Sequence, residues 1–310
     1  MLNYCGVSGP VVFSIEAGSY PAMELGKIPG SSSTNTVTFV SASGNRDAVV
    51  IGEGASPALK MENTSHVTFR NVTIGSATNA ANQVAVQFMG YIENVLFHHC
   101  NLYVQASTTN SSSHVVDYNN TNNSTNYLKD VRFIGNEVRG GYYGFYLYYA
   151  GGNAANCKTS AANRASVRID SNYIYDQYYY PVYSYYYTYI PSFSHNTIKS
   201  RLGASYSYGV YFYYYNLVDS VVGNRLNINV SSYAYGGIRL STTSTTPPHS
   251  VRTSCRRWWP TTRSYPLPVR QPTVSTLTIT SMPASSTTPS TARLPPTMVC
   301  ISTRRLRPPI

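Results

Sequence analysis

Charged residues are scarce in this sequence, where Asp, Glu, Lys and Arg make up 11% of 310 residues. So little charge excludes a coiled coil, and 30 tyrosines exclude the composition of a disordered chain. No apolar run approaches the roughly 18 residues that a membrane-spanning helix needs. The sequence also lacks the charged and then apolar segments of a signal peptide. A cytoplasmic protein and a chain that lacks its own N-terminus would both be expected to show this.

Cysteine is equally sparse and shows no metal-binding pattern. The five cysteines are odd in number and form neither a CxxC pair nor a cysteine–histidine cluster. Of the histidines, His99 and His195 share one repeat position, but two repeats separate them. We therefore expect unpaired thiols, no metal site and no cofactor.

The net charge of +11 belongs almost entirely to the C-terminal segment. Residues 1–240 carry 14 basic and 12 acidic residues, whereas residues 241–310 carry nine arginines and no acid. This tail has no Gly, Asn or Lys but holds 12 of the 18 prolines. A Ser/Thr/Pro-rich stalk is one explanation, and a basic nucleic-acid-binding arm is another.

A shifted reading frame explains the tail more sharply. The single codon of Met298, followed by a Val299 codon, reads as glycine in the shifted frame. This glycine and the four codons after it are compatible with GVYFY, which occurs at 209–213. We therefore predict that residues 241–310 are a frameshifted, disordered tail, and we expect no nucleic-acid partner.

A degenerate repeat organises residues 54–240. Each unit has an apolar anchor, and successive anchors are 24 to 36 residues apart: Phe69, Phe97, Phe133, Ile169, Phe193 and Val221. Apolar residues alternate around each anchor, which indicates a short strand with one buried face. A second strand-like run, such as GFYLYY at 144–149, lies between the units. Such a unit buries its apolar face only by stacking on its neighbours.

An asparagine recurs three positions after four of the anchors: Asn136, Asn172, Asn196 and Asn224. An antiparallel β-sandwich, which needs tight turns every roughly 8–12 residues, does not predict this recurrence. A parallel solenoid does, because Asn tolerates the left-handed backbone of a bend and its amide can bond to the next coil. The asparagines therefore favour a solenoid with a structural Asn ladder.

The pattern apolar–x–apolar–x–x–Asn–x–apolar resembles the repeat of right-handed, pectate-lyase-like parallel β-helix proteins. The opening CGVSGPVVFSIEAGSY resembles the first segment of large secreted bacterial proteins that carry such repeats. The resemblance covers residues 1–240. It implies an all-β, right-handed parallel β-helix of about six coils at 54–240, preceded by opening strands or a cap at 1–53.

Tyrosines cluster at 142–149, 178–189, 206–215 and 233–235. Parallel coils place like residues above one another, so the outward half of each cluster is predicted to form a stacked aromatic face. Such a face suits sugar or protein binding, although cross-coil pairing by itself would only stabilise the sheet. The predicted binding residues are Tyr146, Tyr148, Tyr183, Tyr185, Tyr211 and Tyr213.

Arg132 and Arg168 each precede an anchor, in units 36 residues apart. We expect them to stack on an outward face, where Asp130 and Asp170 are near enough to neutralise them. Because arginine binds carboxylates in a bidentate manner, the pair is also a candidate site for a uronic-acid polymer. The alternative is a solvated ladder of ion pairs.

Enzymes that resemble this fold are chiefly lyases, which hold Ca²⁺ with carboxylates, and hydrolases, which use clustered Asp residues. Both need two or three converging carboxylates, whereas the twelve acids here are scattered. Asp170 and Asp176, with Arg168 and His195, form the best available catalytic constellation, and Ca²⁺ would accompany a lyase.

The Asn-rich segment 106–126 and the Gly/Asn-rich segment 151–164 are predicted to be loops that carry binding specificity. Taken together, the residues and the resemblance point to a secreted or cell-surface β-helix protein, monomeric, that binds a polysaccharide or a cell-surface glycan or acts as a spacer. A polysaccharide lyase or glycoside hydrolase is the alternative, and a defective open reading frame without function is a third interpretation.

Overall fold

A computed structural model describes residues 2–76, 82–158, 164–201, 206–228, 233–234, 237–242, 252–254 and 278–281. After the short helix α1 (Leu2–Cys5), the chain winds into coils of three strands each. Coils 1 to 4 consist, in order, of β1 (Val11–Ile15), β2 (Gly18–Tyr20), β3 (Met23–Leu25), β4 (Val37–Ser41), β5 (Val49–Ile51), β6 (Leu59–Glu62), β7 (Ser65–Arg70), β8 (Thr73–Ser76), β9 (Val84–Met89), β10 (Ile92–His98), β11 (Asn101–Val104) and β12 (His114–Asn119). A 3₁₀ turn at Arg46–Ala48 separates β4 from β5.

Coils 5 to 8 repeat this order with short additional strands, and the last two strands of the series belong to a ninth coil. The elements are β13 (Leu128–Ile134), β14 (Glu137–Arg139), β15 (Tyr143–Tyr148), α2 (Ala154–Lys158), β16 (Val167–Asp170), β17 (Tyr173–Tyr175), β18 (Tyr180–Tyr185), β19 (Tyr189–Ile190), β20 (Phe193–Ser194), β21 (Thr197–Lys199), β22 (Tyr206–Ser207), β23 (Val210–Tyr213), β24 (Leu217–Val218), β25 (Ser220–Val222), β26 (Arg225–Asn227), β27 (Tyr233–Ala234), β28 (Ile238–Thr242), β29 (Arg252–Ser254) and β30 (Thr278–Ser281).

Three long parallel sheets run along the molecule, because each coil adds one strand to each sheet. Sheet A has the order β1-β4-β7-β10-β13-β16-β20-β25-β29, sheet B has β2-β5-β8-β11-β14-β17-β21-β26, and sheet C has β3-β6-β9-β12-β15-β18-β23-β28-β30. Two small parallel pairs, β19–β24 and β22–β27, supplement them. The predicted right-handed parallel β-helix is therefore confirmed, and the β-sandwich alternative fails because every pair among the described strands is parallel.

The six repeats predicted at 54–240 correspond to coils 3 to 8, and the opening segment already forms two coils with the same three-strand order. The prediction of a loop over 106–126 is wrong in part, because β12 lies within it and pairs with β9 and β15. Its sequence, HVVDYN, buries its first five residues, so it lacks the alternation that marks the other strands. Most of the tail 241–310 lies outside the described residues.

A column of phenylalanines forms the centre of the core. Phe69 aligns with Phe97 and Phe97 with Phe133, as the anchor spacing predicts, and the column continues towards the N-terminus through Phe39 to Phe13. Neighbouring rings stack with centroids 5.0 to 5.2 Å apart. We name this column the phenylalanine ladder. From Phe39 onward its rings are buried, since sheets B and C close over them.

The asparagines of the repeat form a second internal ladder at the bend between sheets A and B. Asn172 shows the pattern: its Oδ1 accepts hydrogen bonds from the backbone N–H of Asn136 (2.9 Å) and from Asn136 Nδ2 (3.1 Å). Its own Nδ2 donates to the Phe133 carbonyl at 3.0 Å. The same bonds recur at Asn196 and Asn224. Each amide thereby satisfies buried backbone groups that the bend leaves without strand partners.

The reason predicted for these asparagines was wrong in one respect. The left-handed backbone falls on the residue before each ladder position, with φ between 51° and 68°: Asn71, His99, Gly135, Ser171, His195 and Gly223. The asparagines themselves are therefore placed by side-chain hydrogen bonding and not by backbone conformation.

In the described part of the chain both helices are of four or five residues, far short of the length that crosses a bilayer.

Candidate functional site

The outward side chains of sheet C change character along the molecule. One outward column consists, in register, of Glu24, Lys60, Gln87, Asp117, Tyr146, Tyr183, Tyr211 and Arg239. The neighbouring column contains Asn119, Tyr148, Tyr185 and Tyr213. The six tyrosines proposed from the sequence thus lie together as two aligned columns in coils 5 to 7. Coils 1 to 4 place mainly polar or charged side chains at the same positions.

In these columns the rings of coils 5 and 6 are nearly parallel and close, whereas Tyr211 is tilted by 57° from Tyr183 and Tyr213 by 34° from Tyr185. Tyr148 and Tyr185 have centroids 5.1 Å apart and planes 17° apart, and Tyr146 and Tyr183 are 5.8 Å and 25° apart. These distances between centroids are smaller than the in-plane width of a phenol ring. The faces of neighbouring rings in a column therefore overlap in part. Each ring covers part of its neighbour's face. The surface therefore presents partial ring faces, ring edges and hydroxyls.

A further aromatic column, which the sequence reasoning did not separate from the others, follows sheet C at its bend. Tyr149, Tyr186 and Tyr214 stack with centroids 4.7 and 5.4 Å apart, and Tyr187 stacks on Tyr215 at 5.1 Å. We name the whole cluster the tyrosine block and define it as Tyr146, Tyr148, Tyr149, Tyr183, Tyr185, Tyr186, Tyr187, Tyr211, Tyr213, Tyr214 and Tyr215.

The bend under the tyrosine block has a left-handed backbone. In coils 2 and 3 this bend is occupied by Asn63 (φ 51°) and Gly90 (φ 69°), two residue types that adopt the conformation readily. In coils 5 to 7 it is occupied by Tyr149, Tyr186 and Tyr214, with φ of 54°, 60° and 49°. A bulky aromatic residue is an outlier in this region and carries conformational strain.

Four phenol groups of the block have a raised pKa, which favours their neutral form. Burial is the main cause that raises the pKa of Tyr146, Tyr183 and Tyr185 above the ordinary value. The hydrogen bond to Tyr214 is the main cause that raises the pKa of Tyr213, to about 12. At neutral pH these hydroxyls both donate and accept hydrogen bonds, as neutral sugar hydroxyls require.

Positively charged or ionisable groups lie at both ends of the first tyrosine column. The imidazole of His114 stacks on Tyr146 with centroids 4.4 Å apart. At the other end the Arg239 guanidinium lies 4.8 Å from the centroid of Tyr211. Both contacts use the electron-rich face of a ring, and both leave the middle of the column uncharged.

The pair His114 and Asp117 was missed in the sequence. The two residues lie three apart on β12, and His114 Nδ1 is 2.7 Å from Asp117 Oδ1. His114 Nε2 lies 2.9 Å from the Ser111 carbonyl, which can only accept, so this nitrogen carries a proton. With both nitrogens engaged and the pair buried, the imidazole has no free position for proton abstraction. The pair instead anchors the preceding segment.

Segment 106–113 is also held by hydrogen bonds from Arg201. The Arg201 guanidinium donates hydrogen bonds to three backbone carbonyls, those of Asp176 (2.9 Å), Thr108 (2.8 Å) and Gly141 (3.0 Å). Arg201 thereby joins this segment to coils 5 and 6.

Of the segment 151–164, residues 151–158 and 164 are described, and they include α2.

Arg132 and Arg168 are in register on the outward face of sheet A, where each has its own partner. Arg132 Nη2 donates to Asn94 Oδ1 at 2.7 Å, and its Nε lies 3.5 Å from Asp130. Arg168 forms a close ion pair with Asp170. This arrangement is a ladder of neutralised pairs on a different face from the tyrosine block.

The proposed catalytic constellation has little freedom to react. The Asp170 carboxylate binds Arg168 and also accepts hydrogen bonds from Ser192 Oγ (2.7 Å) and from the backbone N–H of Ser194 (2.9 Å). Asp176 directly follows β17, at the C-terminal end of that strand of sheet B. His195 directly follows β20, at the bend between sheets A and B. No group of three metal-ligating side chains occurs among the described residues.

Comparison of the chain with known protein families, with curated proteins and with solved structures yields no match.

Proposed function

We propose that this chain belongs to a secreted or cell-surface β-helix protein that binds carbohydrate along the tyrosine block, as an adhesive or structural module. The supporting observation is the pair of outward tyrosine columns that run through coils 5 to 7 of sheet C. A polysaccharide or a cell-surface glycan is the proposed ligand class.

The spacing of the columns suits an extended polymer that lies parallel to the helix axis. Each coil advances by about 4.8 Å, a length comparable to one sugar unit in an extended 1,4-linked chain. Sugar C–H groups would pack on the uncovered part of each ring, and sugar hydroxyls would bond to the phenols. The uncharged middle of the columns favours a neutral polymer over a uronic acid.

The test is binding of the purified full chain to a panel of insoluble and arrayed polysaccharides. The variant Tyr146→Ala/Tyr183→Ala/Tyr211→Ala removes one column and with it three proposed ring contacts to the sugar chain. We expect this variant to bind at least about tenfold more weakly. The matched control, Lys60→Ala/Gln87→Ala, changes the same column in coils 2 and 3 and should bind as the wild type does.

Three outcomes would contradict the proposal. These are no binding by the wild-type chain, equal binding by the tyrosine variant, or equal loss in both variants. Release of new reducing or unsaturated ends from the polymer would instead favour a lyase or hydrolase. Circular dichroism of each variant shows whether the β-helix is retained, so that lost binding is not mistaken for unfolding.

A further inference from the structure

Tyr186 lies at the centre of the tyrosine block. Its ring centroid is 4.7 Å from that of Tyr149 in coil 5 and 5.4 Å from that of Tyr214 in coil 7. Tyr185 is closer still, at 4.1 Å, and its hydroxyl donates to the Tyr186 hydroxyl at 3.2 Å. Tyr186 thus contacts phenols of both neighbouring coils at once.

The stacking geometry brings reactive carbons together. The Tyr186 plane is inclined by 22° to that of Tyr149 and by 12° to that of Tyr214. Rings at these separations are close enough for the carbons ortho to the hydroxyls of adjacent rings to meet when the side chains rotate. These carbons, with the oxygen, carry the unpaired electron of a phenoxyl radical.

The bend column of Tyr149, Tyr186 and Tyr214 lowers the stability of the fold, because its residues adopt a strained left-handed backbone. Coils 2 and 3 satisfy the same bend with Asn63 and Gly90, which carry little strain there, whereas coils 5 to 7 place tyrosine in the left-handed region. Cross-coil stacking would also occur if these rings stood only on the flat strands. The additional bend column is therefore unexplained by sheet stability, and it points to a use of the phenols themselves.

We propose that the column Tyr149–Tyr186–Tyr214 is a site of oxidative cross-linking, in which a dityrosine bond joins adjacent coils. The oxidant is hydrogen peroxide acting through a haem peroxidase. Two tyrosines each lose one electron and one proton, giving two phenoxyl radicals, and the peroxide takes up both electrons and both protons to form two waters. One ortho carbon of each ring then forms the new C–C bond. Each of these carbons passes its hydrogen, as a proton, to the oxygen of its own ring and restores the phenol.

Access of the oxidant does not require Tyr186 itself to be exposed. Tyr215, which is 38% exposed, stacks on Tyr187 at 5.1 Å, and its centroid lies 6.2 Å from that of Tyr186. A radical formed on Tyr215 can therefore exchange an electron with its neighbours and reach the centre of the block. The cross-link would fasten coils covalently in a chain whose three described cysteines form no disulfide.

The experiment treats the dilute, purified full chain with hydrogen peroxide and a haem peroxidase. Dityrosine is measured by its fluorescence and by mass spectrometry of linked peptides in the monomer fraction. The expected linked pairs join Tyr186 to Tyr149 or to Tyr214. The variant Tyr186→Phe, which keeps the ring and removes the phenol, should lose these linked peptides and most of the monomer fluorescence.

The matched control is Tyr173→Phe. Tyr173 stacks on Tyr175 at 4.4 Å as an isolated pair on sheet B, so this variant should keep the cross-link of the block. Another pair outside the block is Tyr91 and Tyr127, whose ring centroids are 4.8 Å apart. The proposal is overturned by links found only between different molecules, by links confined to Tyr173–Tyr175 or Tyr91–Tyr127, or by an undiminished yield of the same peptides in Tyr186→Phe. Because no polysaccharide is present, the outcome is independent of carbohydrate binding.

Discussion

The phenylalanine ladder inside the molecule and the tyrosine block outside it follow from the same coil register but have different surroundings. The internal rings stack at 5.0 to 5.2 Å and also meet rings of sheet C edge-on, as Phe145 meets Phe133. The outer rings stack at similar distances, yet most of them remain only half-buried. Repetition produces both ladders, and burial decides what each ladder contributes to stability.

The largest loss of stability is expected from a substitution in the phenylalanine ladder. Phe97→Ala removes a fully buried ring that contacts Phe69, Phe133 and Phe88, and it leaves a cavity in the core. The expected loss in the free energy of unfolding is about 3–5 kcal/mol, measured by chemical denaturation. A loss no larger than that of an outer tyrosine would show that stacking, and not burial, sets the energies of both ladders.

A smaller loss is expected from the Asn ladder. Asn172→Ala leaves the backbone N–H of Asn136 and the Phe133 carbonyl without their Asn172 partner, whereas Asn136 Nδ2 keeps its bond to the Phe97 carbonyl. Each orphaned buried group costs about 1–3 kcal/mol, so unfolding should require clearly less denaturant. Asn172→Asp is a useful comparison because it keeps the acceptor oxygens and removes the donor. If the alanine variant were as stable as the wild type, the amide would not be required at the bend.

The tyrosine block should tolerate the loss of a single ring. Tyr185→Ala removes stacking contacts with Tyr148 and Tyr183 that are worth about 0.5–1.5 kcal/mol each beyond the buried area. The same denaturation assay should give a smaller loss than Phe97→Ala, and Tyr185→Phe should lie near the wild type. If Tyr185→Ala lost as much free energy of unfolding as Phe97→Ala, the tyrosine block would contribute to stability as a second hydrophobic core does.

The smallest effect concerns pH and appears only under alkaline conditions. An unfolded tyrosine titrates near about 10, whereas the folded pKa is raised to about 12 at Tyr213, first by its hydrogen bond with Tyr214, and is raised by burial at Tyr183. The unfolded chain therefore loses protons first, so the stability from these groups is complete below about pH 10 and is lost as pH rises through the folded values.

Thermal unfolding measured from neutral to alkaline pH checks this expectation. The Tm should hold until about pH 10 and then fall, and Tyr213→Phe, with one titrating group fewer, should fall less steeply. Because phenylalanine does not titrate, the difference between wild type and Phe97→Ala should stay constant over the same range. An unchanged Tm across the alkaline range would mean that the phenols are as solvated in the folded chain as in the unfolded one.

Several features were open to prediction because they depend on spacing along the chain. The anchors Phe69, Phe97 and Phe133 recur at intervals that a parallel coil converts directly into vertical neighbours. The outward tyrosines follow from the same alternation. In contrast, β12 escaped notice because its first five residues are all buried. Coil 2 escaped notice because a longer segment with a 3₁₀ turn separates Phe39 from β5.

The amino-acid sequence by itself determined the parallel solenoid, its internal ladders and the position of the tyrosines, since a regular repeat leaves only one register that buries every anchor. Only the tertiary structure decided which partner each polar group takes. Arg168 is neutralised by Asp170, both nitrogens of His114 are occupied, and Tyr186 meets phenols from two other coils. These contacts depend on bend conformation and on side-chain direction at separations of a few ångströms, and the spacing of residues along a chain does not specify either.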